Sequence, residues 1–278
     1  MPYENIGPAP KRIAVIGAGI SGMGAAHMLA DSHSVVLFES EKRLGGHART
    51  KVAGKNGDQP VDTGFIVFNY ANYPHMADLF AKLDVPVIKS NMSFGASIDG
   101  GRFEYAFSDF STIFAQKSNL ARPAYWRMLR DVYRFNARAF ELSRTDDMTI
   151  AGLLDVLGSG EWFKKYYLTP LSGAIWSTPV DKILDFPAKA MIDFFENHAL
   201  LHHTGQHQWY TVDGGSIEYV RRLGQAMERQ GVDMRLGAGV EAVRRTEIGV
   251  EIKVWGAQWE CFDEVVFASH SDDALALL

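Results

Sequence analysis

A short turn near the N-terminus has the residue types and spacing of a phosphate-binding loop. Gly17 permits a tight turn, Gly19 lets a pyrophosphate approach the backbone without a Cβ in the way, and Gly22 lets the following helix pack closely on a sheet. The whole turn consists of Gly17, Ala18, Gly19, Ile20, Ser21 and Gly22. Glu39, 20 positions after Gly19, can accept hydrogen bonds from ribose hydroxyls. These residues predict a dinucleotide-binding site.

The elements predicted around this turn are the ones that such a site requires. The β-branched apolar run 13–16 predicts a strand, residues 23–30 predict a helix of small residues, and 35–38 predict a second strand that leads into Glu39. The N-terminus of the helix would present free N–H groups and a positive dipole end to the phosphates. Because a GxGxxG turn alone is weak evidence, the prediction depends on strand, turn, helix, second strand and acid following in this order.

The stretch RLGGHART, which begins at Arg43, resembles a motif of one flavoprotein superfamily. It is similar to the R-x-G-G-R-x-x-[ST] segment of the flavin-containing amine oxidases and phytoene desaturases. The resemblance implies FAD as the cofactor, with Gly45 and Gly46 lying against the flavin diphosphate. The sequence departs from the family at His47, because a neutral imidazole pairs less strongly with a diphosphate than arginine does. Arg43 and Arg49 would supply positive charge nearby.

Further positions join the predicted cofactor site through the same resemblance. The step DTGF resembles the family segment that brings backbone amides to the flavin, which would place Thr63 and Gly64 at the cofactor; alone, it is equally typical of a buried strand after a turn. A Gly-Gly-Ser turn and the strand VEAV resemble the segment with which the family returns to its first fold. There the first strand residue, Val240, would meet the adenine through its backbone. Ser40, next to Glu39, is included in the same predicted site.

Two stretches, VDTGFIVFN and PLSGAIWSTP, are most similar to one branch of this superfamily. Its members are bacterial amine-oxidase-like flavoproteins often encoded beside cyclopropane-fatty-acid synthases. The resemblance implies an FAD-dependent oxidoreductase that removes hydride from an apolar substrate, with a fatty acyl chain and a role in lipid metabolism as family expectations. Two alternatives stay open, a flavin amine oxidase and a non-catalytic dinucleotide-binding fragment. No residue is singled out as catalytic.

Composition excludes several classes of protein. Of the 278 residues 47% are hydrophobic and 22% charged, which is ordinary for a globular protein. The net charge of −5 argues against general affinity for nucleic acid. The single cysteine, Cys261, excludes an internal disulfide and any multi-cysteine metal site, and fits a reducing, cytoplasmic compartment. The uncharged run 13–30 contains four glycines, and we interpret it as the dinucleotide turn rather than a membrane segment.

The chain is predicted to have an α/β fold interrupted by a mostly helical insertion. Residues 1–89 and 208–278 would form a Rossmann-like FAD-binding domain, and residues 90–207 an inserted substrate or cap domain. In flavin amine oxidases a later glycine-rich segment completes the contacts to the flavin ring, and this sequence has no second such segment after the last predicted strand. We therefore expect an N-terminal portion of a longer enzyme that binds FAD weakly or incompletely.

Histidine and aromatic side chains near residue 200 are weaker evidence for a functional site. The four histidines are His198, His202, His203 and His207. Histidines four apart on a helix can hold a metal, but Glu196 is the only obvious further ligand, so we expect no metal. The imidazoles would line a substrate cavity or lie in a solvated loop. Neighbouring aromatic residues are candidates for an apolar channel or for ordinary core packing: Trp176, Phe194, Phe195, Trp209 and Tyr210.

A long helix predicted over 122–144 carries arginines at steps of three, four and four residues. They are Arg127, Arg130, Arg134 and Arg138. This spacing places them on one face. The larger apolar residues are predicted to turn away from that face: Trp126, Leu129, Val132, Tyr133 and Phe140. The arginine face is expected to be either a solvated surface partly paired with Asp131 and Glu141, or a peripheral membrane contact that binds anionic lipid head groups.

Overall fold

A computed structural model gives the structure of residues 9–144, 147–176, 179, 181–202, 205 and 207–278. These residues divide into two units with separate hydrophobic cores. The first unit consists of the chain up to Ser90 and from Tyr210 onward, and the second of Asn91–Trp209. The second unit is therefore inserted into the sequence of the first.

The strands are β1 Arg12–Ile16, β2 Ser34–Glu39, β3 Thr50–Ala53, β4 Gln59–Asp62, β5 Val87–Ser90, β6 Gly95–Ile98, β7 Phe103–Ala106, β8 Trp209–Val212, β9 Asp233–Leu236, β10 Val240–Thr246, β11 Gly249–Val254, β12 Trp259–Phe262 and β13 Glu264–Phe267. The α-helices are α1 Ile20–Leu29, α2 Pro74–Lys82, α3 Phe110–Ile113, α4 Pro123–Leu142, α5 Ile150–Leu157, α6 Glu161–Phe163, α7 Thr169–Trp176, α8 Ala188–Asn197, α9 Ile217–Arg229 and α10 Ser271–Ala276. Short 3-10 turns cover Lys117–Ala121 and Ile183–Asp185, and Lys164–Leu168 is a π-helical turn.

A four-stranded parallel sheet in the order β13-β1-β2-β9 is the centre of the first unit. Its two central strands are apolar runs, and residues 13–16 and 35–38 are all buried. Continuous apolar runs of this kind are typical of parallel strands that are covered on both faces. The α/β fold with a parallel sheet that the sequence predicts is confirmed. Helix α1 begins at Ile20, three residues earlier than predicted, so the glycine turn leads directly into its first turn.

Different layers cover the two faces of this sheet. Helices α1 and α9 cover one face, where Val15 shares a core with Met23 and Leu223. The three-stranded antiparallel sheet β10-β11-β12 covers the other, with the Phe38 and Phe262 rings edge to face at 5.8 Å. The sequence predicted β10 from the stretch VEAV but missed β12, whose strand residues follow a short turn.

An ionic cluster joins this antiparallel sheet to the parallel one. The Glu260 carboxylate on β12 accepts hydrogen bonds from Arg235 Nη1 on β9, at 2.5 Å, and from Arg12 on β1. The Arg235 hydrogen bond, supported by Arg12 and opposed by desolvation, lowers the pKa of Glu260. The two guanidinium groups also lie over the rings of Phe38 and Phe262.

The second unit is mostly helical, and the 20-residue helix α4 contributes one face to its core. The buried residues of this helix recur at helical spacing: Tyr125, Met128, Asp131, Val132, Phe135 and Ala139. Asp131 is 2% exposed and accepts hydrogen bonds from Arg134 Nη2 at 2.9 Å, Arg130 Nη2 at 3.2 Å and the Gly160 N–H at 2.9 Å. This buried carboxylate therefore ties α4 to the loop before α6. The Thr149 side chain caps α5, accepting from the Gly152 N–H.

The outer face of α4 differs from the prediction. Arg127, Arg130 and Arg138 are exposed, as expected of a cationic face. The prediction that Trp126, Tyr133 and Phe140 turn away from the arginine face is wrong, because their side chains are exposed beside the arginines. Seven-residue spacing returns these three rings to nearly the same angle on the helix, next to Arg130. By contrast Leu129 and Val132 pack on the core as predicted.

We found no helix in the described ranges with both the length and the apolar character required to cross a bilayer.

Candidate functional site

The glycine turn between β1 and α1 is fixed by close backbone contacts. Gly17 has φ +101°, and its N–H donates to the Phe38 carbonyl at 2.8 Å. A Cβ on Gly17 would lie 2.8 Å from the Ala268 carbonyl oxygen, just after β13. A Cβ on Gly22 would lie only 1.8 Å from the Gly17 carbonyl oxygen. These glycines are therefore needed so that the ends of β1 and β13 and the start of α1 can meet.

Gly19, in contrast, faces open space. No described atom lies within 4 Å of the position that a Cβ on Gly19 would take, apart from its chain neighbours. Ile20 and Ser21 follow as exposed residues in the first turn of α1. The first N–H groups of a helix have no partner within it and lie at the positive end of its dipole. We call the open surface formed by Gly19, Ile20 and Ser21 the glycine cradle; its donors and its space fit a diphosphate.

Glu39 is held rigidly at the end of β2. Its Oε2 accepts from the Ala18 N–H at 2.7 Å, and its Oε1 accepts from the Glu41 N–H at 2.8 Å and from Ser40 Oγ at 3.1 Å. An ionised carboxylate has about four acceptor positions, so capacity remains for ribose hydroxyls. The Glu39 carbonyl accepts from the Ala238 N–H at 2.8 Å, which brings the start of β10, at Val240, to the end of β2. Glu39, Ser40 and Val240 thus lie in one region.

The paired glycines lie directly on the glycine turn. The Gly45 N–H donates to the Ala18 carbonyl at 2.8 Å, and Gly45 has φ +106°. Gly46 has φ +54°, and a Cβ on it would lie 2.9 Å from the Gly19 Cα. The Gly46 backbone therefore forms one wall of the glycine cradle.

Arg43 holds this second loop in place. Its Nη2 donates to the Gly46 carbonyl at 2.8 Å, its Nη1 donates to the Ala48 carbonyl at 3.4 Å, and its Nε pairs with Glu41 at 3.0 Å. The sequence suggested that Arg43 supplies free positive charge to a diphosphate. In the structure its guanidinium is occupied by the loop carbonyls and Glu41, so its role is to shape the cradle wall.

His47 is exposed, and its ring stacks on His270 with centroids 5.4 Å apart and planes 23° apart. His270 follows the segment after β13 that also contacts Gly17. Sequence reasoning missed His270. The available signal was its position just after a parallel strand next to β1, since the carboxyl ends of such strands meet at the ligand edge of the sheet.

A polar network centred on Asp62 holds Thr50, at the end of the loop that follows Gly46. The Asp62 carboxylate accepts from Thr50 Oγ1 at 2.6 Å, Ser216 Oγ at 2.7 Å and the Ser216 N–H at 2.9 Å. Burial, with the Asp62 charge nearby, raises the pKa of Tyr219 to about 12, so its hydroxyl stays protonated at neutral pH. The sequence singled out the residues after Asp62 but not its carboxylate.

The next two predicted residues pack against the same loop. Thr63 donates to the Arg49 carbonyl through its N–H, at 2.9 Å, and its Oγ1, at 3.0 Å. A Cβ on Gly64 would lie 1.9 Å from the His47 carbonyl oxygen. Both residues therefore fix the loop that contains His47, and the glycine at 64 is required by this backbone approach.

Of the histidines near residue 200, His198 and His202 have different partners. His198 is buried, donates to the Phe194 carbonyl through Nδ1 at 2.9 Å, and stacks on the Phe194 ring. His202 Nε2 instead contacts Glu196 Oε1 at 3.1 Å. His203 lies outside the described residues. The aromatic channel candidates Trp176, Phe194 and Phe195 contact one another within the core of the second unit, which is ordinary packing.

The remaining aromatic candidates lie in different units. Trp209 stacks with His198 at the edge of the second unit, whereas Tyr210 contacts the rings of Phe68 and Tyr70 in the first. Elsewhere, His270, Asp272 and Asp273 offer ligand atoms within 4.8 Å of one another, and all three are exposed. Two carboxylates in the first turn of α10 stabilise the positive end of a helix without an ion.

Comparison with known proteins gives one family and one fold. The family model described as flavin containing amine oxidoreductase matches residues 20–277. An L-amino-acid oxidase of Bothrops pauloensis is 45% identical over 49 residues, which are 17% of this chain and 10% of the relative. One from Sistrurus catenatus edwardsii is 48% identical over 42 residues, which are 15% of this chain and 8% of the relative.

Two solved structures show the same fold at low identity. Cyclohexylamine oxidase from Brevibacterium oxydans IH-35A has a TM-score of 0.68 at 20% identity, covering 96% of this chain and 60% of that chain. Wild-type putrescine oxidase bound to putrescine has a TM-score of 0.68 at 18% identity, covering 97% of this chain and 60% of that chain. The chain thus spans about three fifths of the length of these structures.

Proposed function

This chain belongs to the flavin-containing amine oxidoreductases, and from that membership we propose that it provides the cofactor-binding part of an FAD-dependent amine-oxidising enzyme. The family confirms the prediction of a flavin cofactor, FAD, made from the sequence. The amine substrate, and the enzymatic activity of this chain itself, are our proposal.

The observation that carries the proposal is the glycine cradle. It combines open space over Gly19, donors at the start of α1 and a wall formed by the Gly46 backbone. We propose that the diphosphate of FAD is held there by the backbone of Gly19, Ile20 and Ser21. His47, exposed at the edge of the same loop, would add a donor to the phosphates.

The adenosine end of FAD would lie at the end of β2. We propose that Glu39 accepts from the ribose hydroxyls, since two hydrogen bonds from backbone N–H groups already orient its carboxylate. Ser40 and the Val240 backbone would border the adenine. Arg43, Thr63 and Gly64 would act indirectly, because their contacts fix the loop that contains Gly46 and His47.

Bound FAD supplies the redox chemistry by accepting a hydride equivalent from the substrate and passing it to an acceptor. The residues of this chain contribute binding and orientation. We propose that the first unit, predicted as residues 1–89 and 208–278, is the FAD-binding domain, and that residues 90–207 form the substrate domain. A cytoplasmic location stays a prediction.

An amine is the favoured substrate because of the family and because two amine oxidases share the fold. The fatty acyl substrate and the role in lipid metabolism expected from the sequence have no support from these relatives. They are kept as a second candidate for one reason: the exposed basic and aromatic outer side of α4 suits contact with a lipid surface.

Flavin reduction distinguishes these candidates. The purified protein would be denatured to identify the released cofactor by mass spectrometry, and the native protein mixed without oxygen with cyclohexylamine, putrescine, L-amino acids or phospholipid vesicles. We expect FAD in the extract and bleaching of the flavin absorbance by an amine. Bleaching by lipid alone would favour the second candidate, bound FAD that no compound reduces would favour a binding module, and NAD without flavin would overturn the proposal.

A further inference from the structure

Helix α4 exposes a row of aromatic side chains. Trp126, Tyr133 and Phe140 are 48%, 67% and 41% exposed. Their seven-residue spacing places them in line along about four turns of the helix. Aromatic rings usually dominate cores, so a row of three in solvent requires an explanation.

Neighbouring segments extend this row into a patch. The Phe110 ring, 79% exposed, contacts Phe114 at 5.6 Å, and Phe114 contacts Trp126 at 5.2 Å. Trp126 Nε1 donates to the carbonyl of Leu120 at 3.0 Å, and the Leu120 side chain is 52% exposed. We call these residues the aromatic face: Phe110, Leu120, Trp126, Tyr133 and Phe140.

Cationic side chains border the aromatic face along the helix. Arg127 and Arg138 are exposed and have no ion-pair partner in the part of the chain that the structure describes. Arg130 is also exposed, although it contacts the buried Asp131 carboxylate at 3.2 Å. Glu141 is the other acidic residue of this helix, and it lies near the C-terminal end. The border along α4 is therefore predominantly positive; the exposed Asp109, next to Phe110, lies outside this helix.

We infer that the aromatic face docks on the surface of an anionic phospholipid bilayer. Tryptophan and tyrosine rings are favoured at the head-group level of membranes, because an apolar body and a polar tip suit that depth. Arginines are attracted by anionic head groups, while their aliphatic stems cover apolar surface. A helix with an aromatic row beside a cationic row has the pattern of an interfacial helix that lies in the plane of the membrane.

The charge indicates which surface the aromatic face would contact. Exposed arginines run alongside the rings for the length of the helix, and this row of positive charge complements the anionic head groups of a bilayer. The inference concerns this surface alone and holds whether the enzyme oxidises an amine or a lipid. The two experiments therefore give independent results. Failure of vesicle binding would contradict the inference about this surface, and failure of the flavin assay would contradict the proposed function.

Co-sedimentation with vesicles tests the inference. The purified protein would be mixed with vesicles of phosphatidylcholine, with or without phosphatidylglycerol, at low and high salt. We expect binding to the anionic vesicles that falls at high salt, because the Debye length shortens to about 3 Å at 1 M. Arg127→Glu/Arg138→Glu should weaken it at least fivefold per arginine, since each basic residue contributes about that factor near an anionic surface.

Matched variants test whether vesicle binding depends on the aromatic face and its arginines, or only on the net charge and nonspecific adsorption of the protein. Lys55→Glu/Arg245→Glu makes the same charge change at exposed positions of the first unit, and Trp255→Ser removes an exposed tryptophan there. Phe110→Ser/Tyr133→Ser should lower binding to anionic vesicles, with an unchanged thermal midpoint because both side chains are mostly in solvent. Equal losses in the matched variants, or no binding of the wild-type protein to anionic vesicles, would overturn the inference.

Discussion

Gly22 and Gly24 lie two positions apart on α1 but have opposite surroundings. A methyl group at Gly22 would lie 1.8 Å from the Gly17 carbonyl oxygen, whereas one at Gly24 would meet no described atom within 4 Å. Gly22→Ala should therefore lower the free energy of unfolding by about 1–3 kcal/mol through overpacking. Gly24→Ala should raise it by up to about 1 kcal/mol through helix propensity. Urea unfolding of both variants checks this pair, and equal effects would contradict the packing described here.

Asp62 is a second residue whose importance comes from its contacts. Its carboxylate accepts from Thr50, from the Ser216 hydroxyl and from the Ser216 N–H, and Ser216 is fully buried. Asp62→Ala would leave the buried Ser216 N–H without its acceptor, so we expect a loss of about 1–3 kcal/mol in unfolding free energy. Asp58→Ala on the same hairpin is the control, because Asp58 is exposed. An Asp62→Ala protein as stable as the control would show that the network contributes nothing.

The sequence predicts residue roles well where the role depends on the backbone. The spacing of Gly17, Gly19 and Gly22 identifies the turn, because glycine alone tolerates the backbone approaches at Gly17 and Gly22, while Gly19 leaves open space for a ligand. The partners of Asp62 and the stacking of His270 on His47 could not be predicted in the same way. The bonds between Asp62 and Ser216 and the stacking of His270 on His47 join residues more than 150 positions apart, and no local pattern encodes such pairs.

At the scale of elements, Glu260 connects the two sheets of the first unit through Arg235 and Arg12. The lowered pKa means that its contribution to stability is present above the ordinary value of 4.5 and is lost as pH falls through the folded-state value. Glu260→Gln should cost about 1 kcal/mol at pH 7, because the pair is partly exposed. Denaturant unfolding of both proteins from pH 7 to pH 3 should show this difference shrinking. A difference that grows on acidification would contradict the assignment.

Most helices and strands could be predicted from local sequence patterns, and each exception has a physical explanation. The parallel strands β1 and β2 were predicted from their apolar runs. Strand β12 was missed because Trp259–Phe262 alternates weakly and depends on pairing with β11. The face of α4 was predicted wrongly because its rings were placed away from the arginines, although their seven-residue spacing keeps them next to Arg130 on the exposed side of the helix.

At the scale of the whole molecule, the second unit has a hydrophobic core of its own. The segment 91–209 is long enough to bury such a core without help from the rest of the chain. We expect it to fold when expressed alone, with a cooperative thermal transition. Phe135→Ala, at a fully buried position, should lower the midpoint of that transition. A non-cooperative melt of the unsubstituted segment would contradict the independence of the two cores.

The α/β fold and the family could be predicted because they depend on one continuous segment near the N-terminus and on a recognisable order of elements. The substrate could not. Residues that select a substrate come from distant parts of a chain, and this chain spans about three fifths of the two amine oxidases that share its fold.

Titration of FAD into the apoprotein of wild type, Gly19→Ala and Gly24→Ala tests the central claim most directly. A methyl group at either position has room in the described structure, so all three proteins should fold with similar stability, apart from the small helix gain at position 24. At Gly19 the methyl group would occupy the space proposed for the diphosphate. We expect Gly19→Ala to bind FAD at least about tenfold more weakly, and Gly24→Ala to match the wild type. Equal FAD affinity in all three proteins would contradict the account.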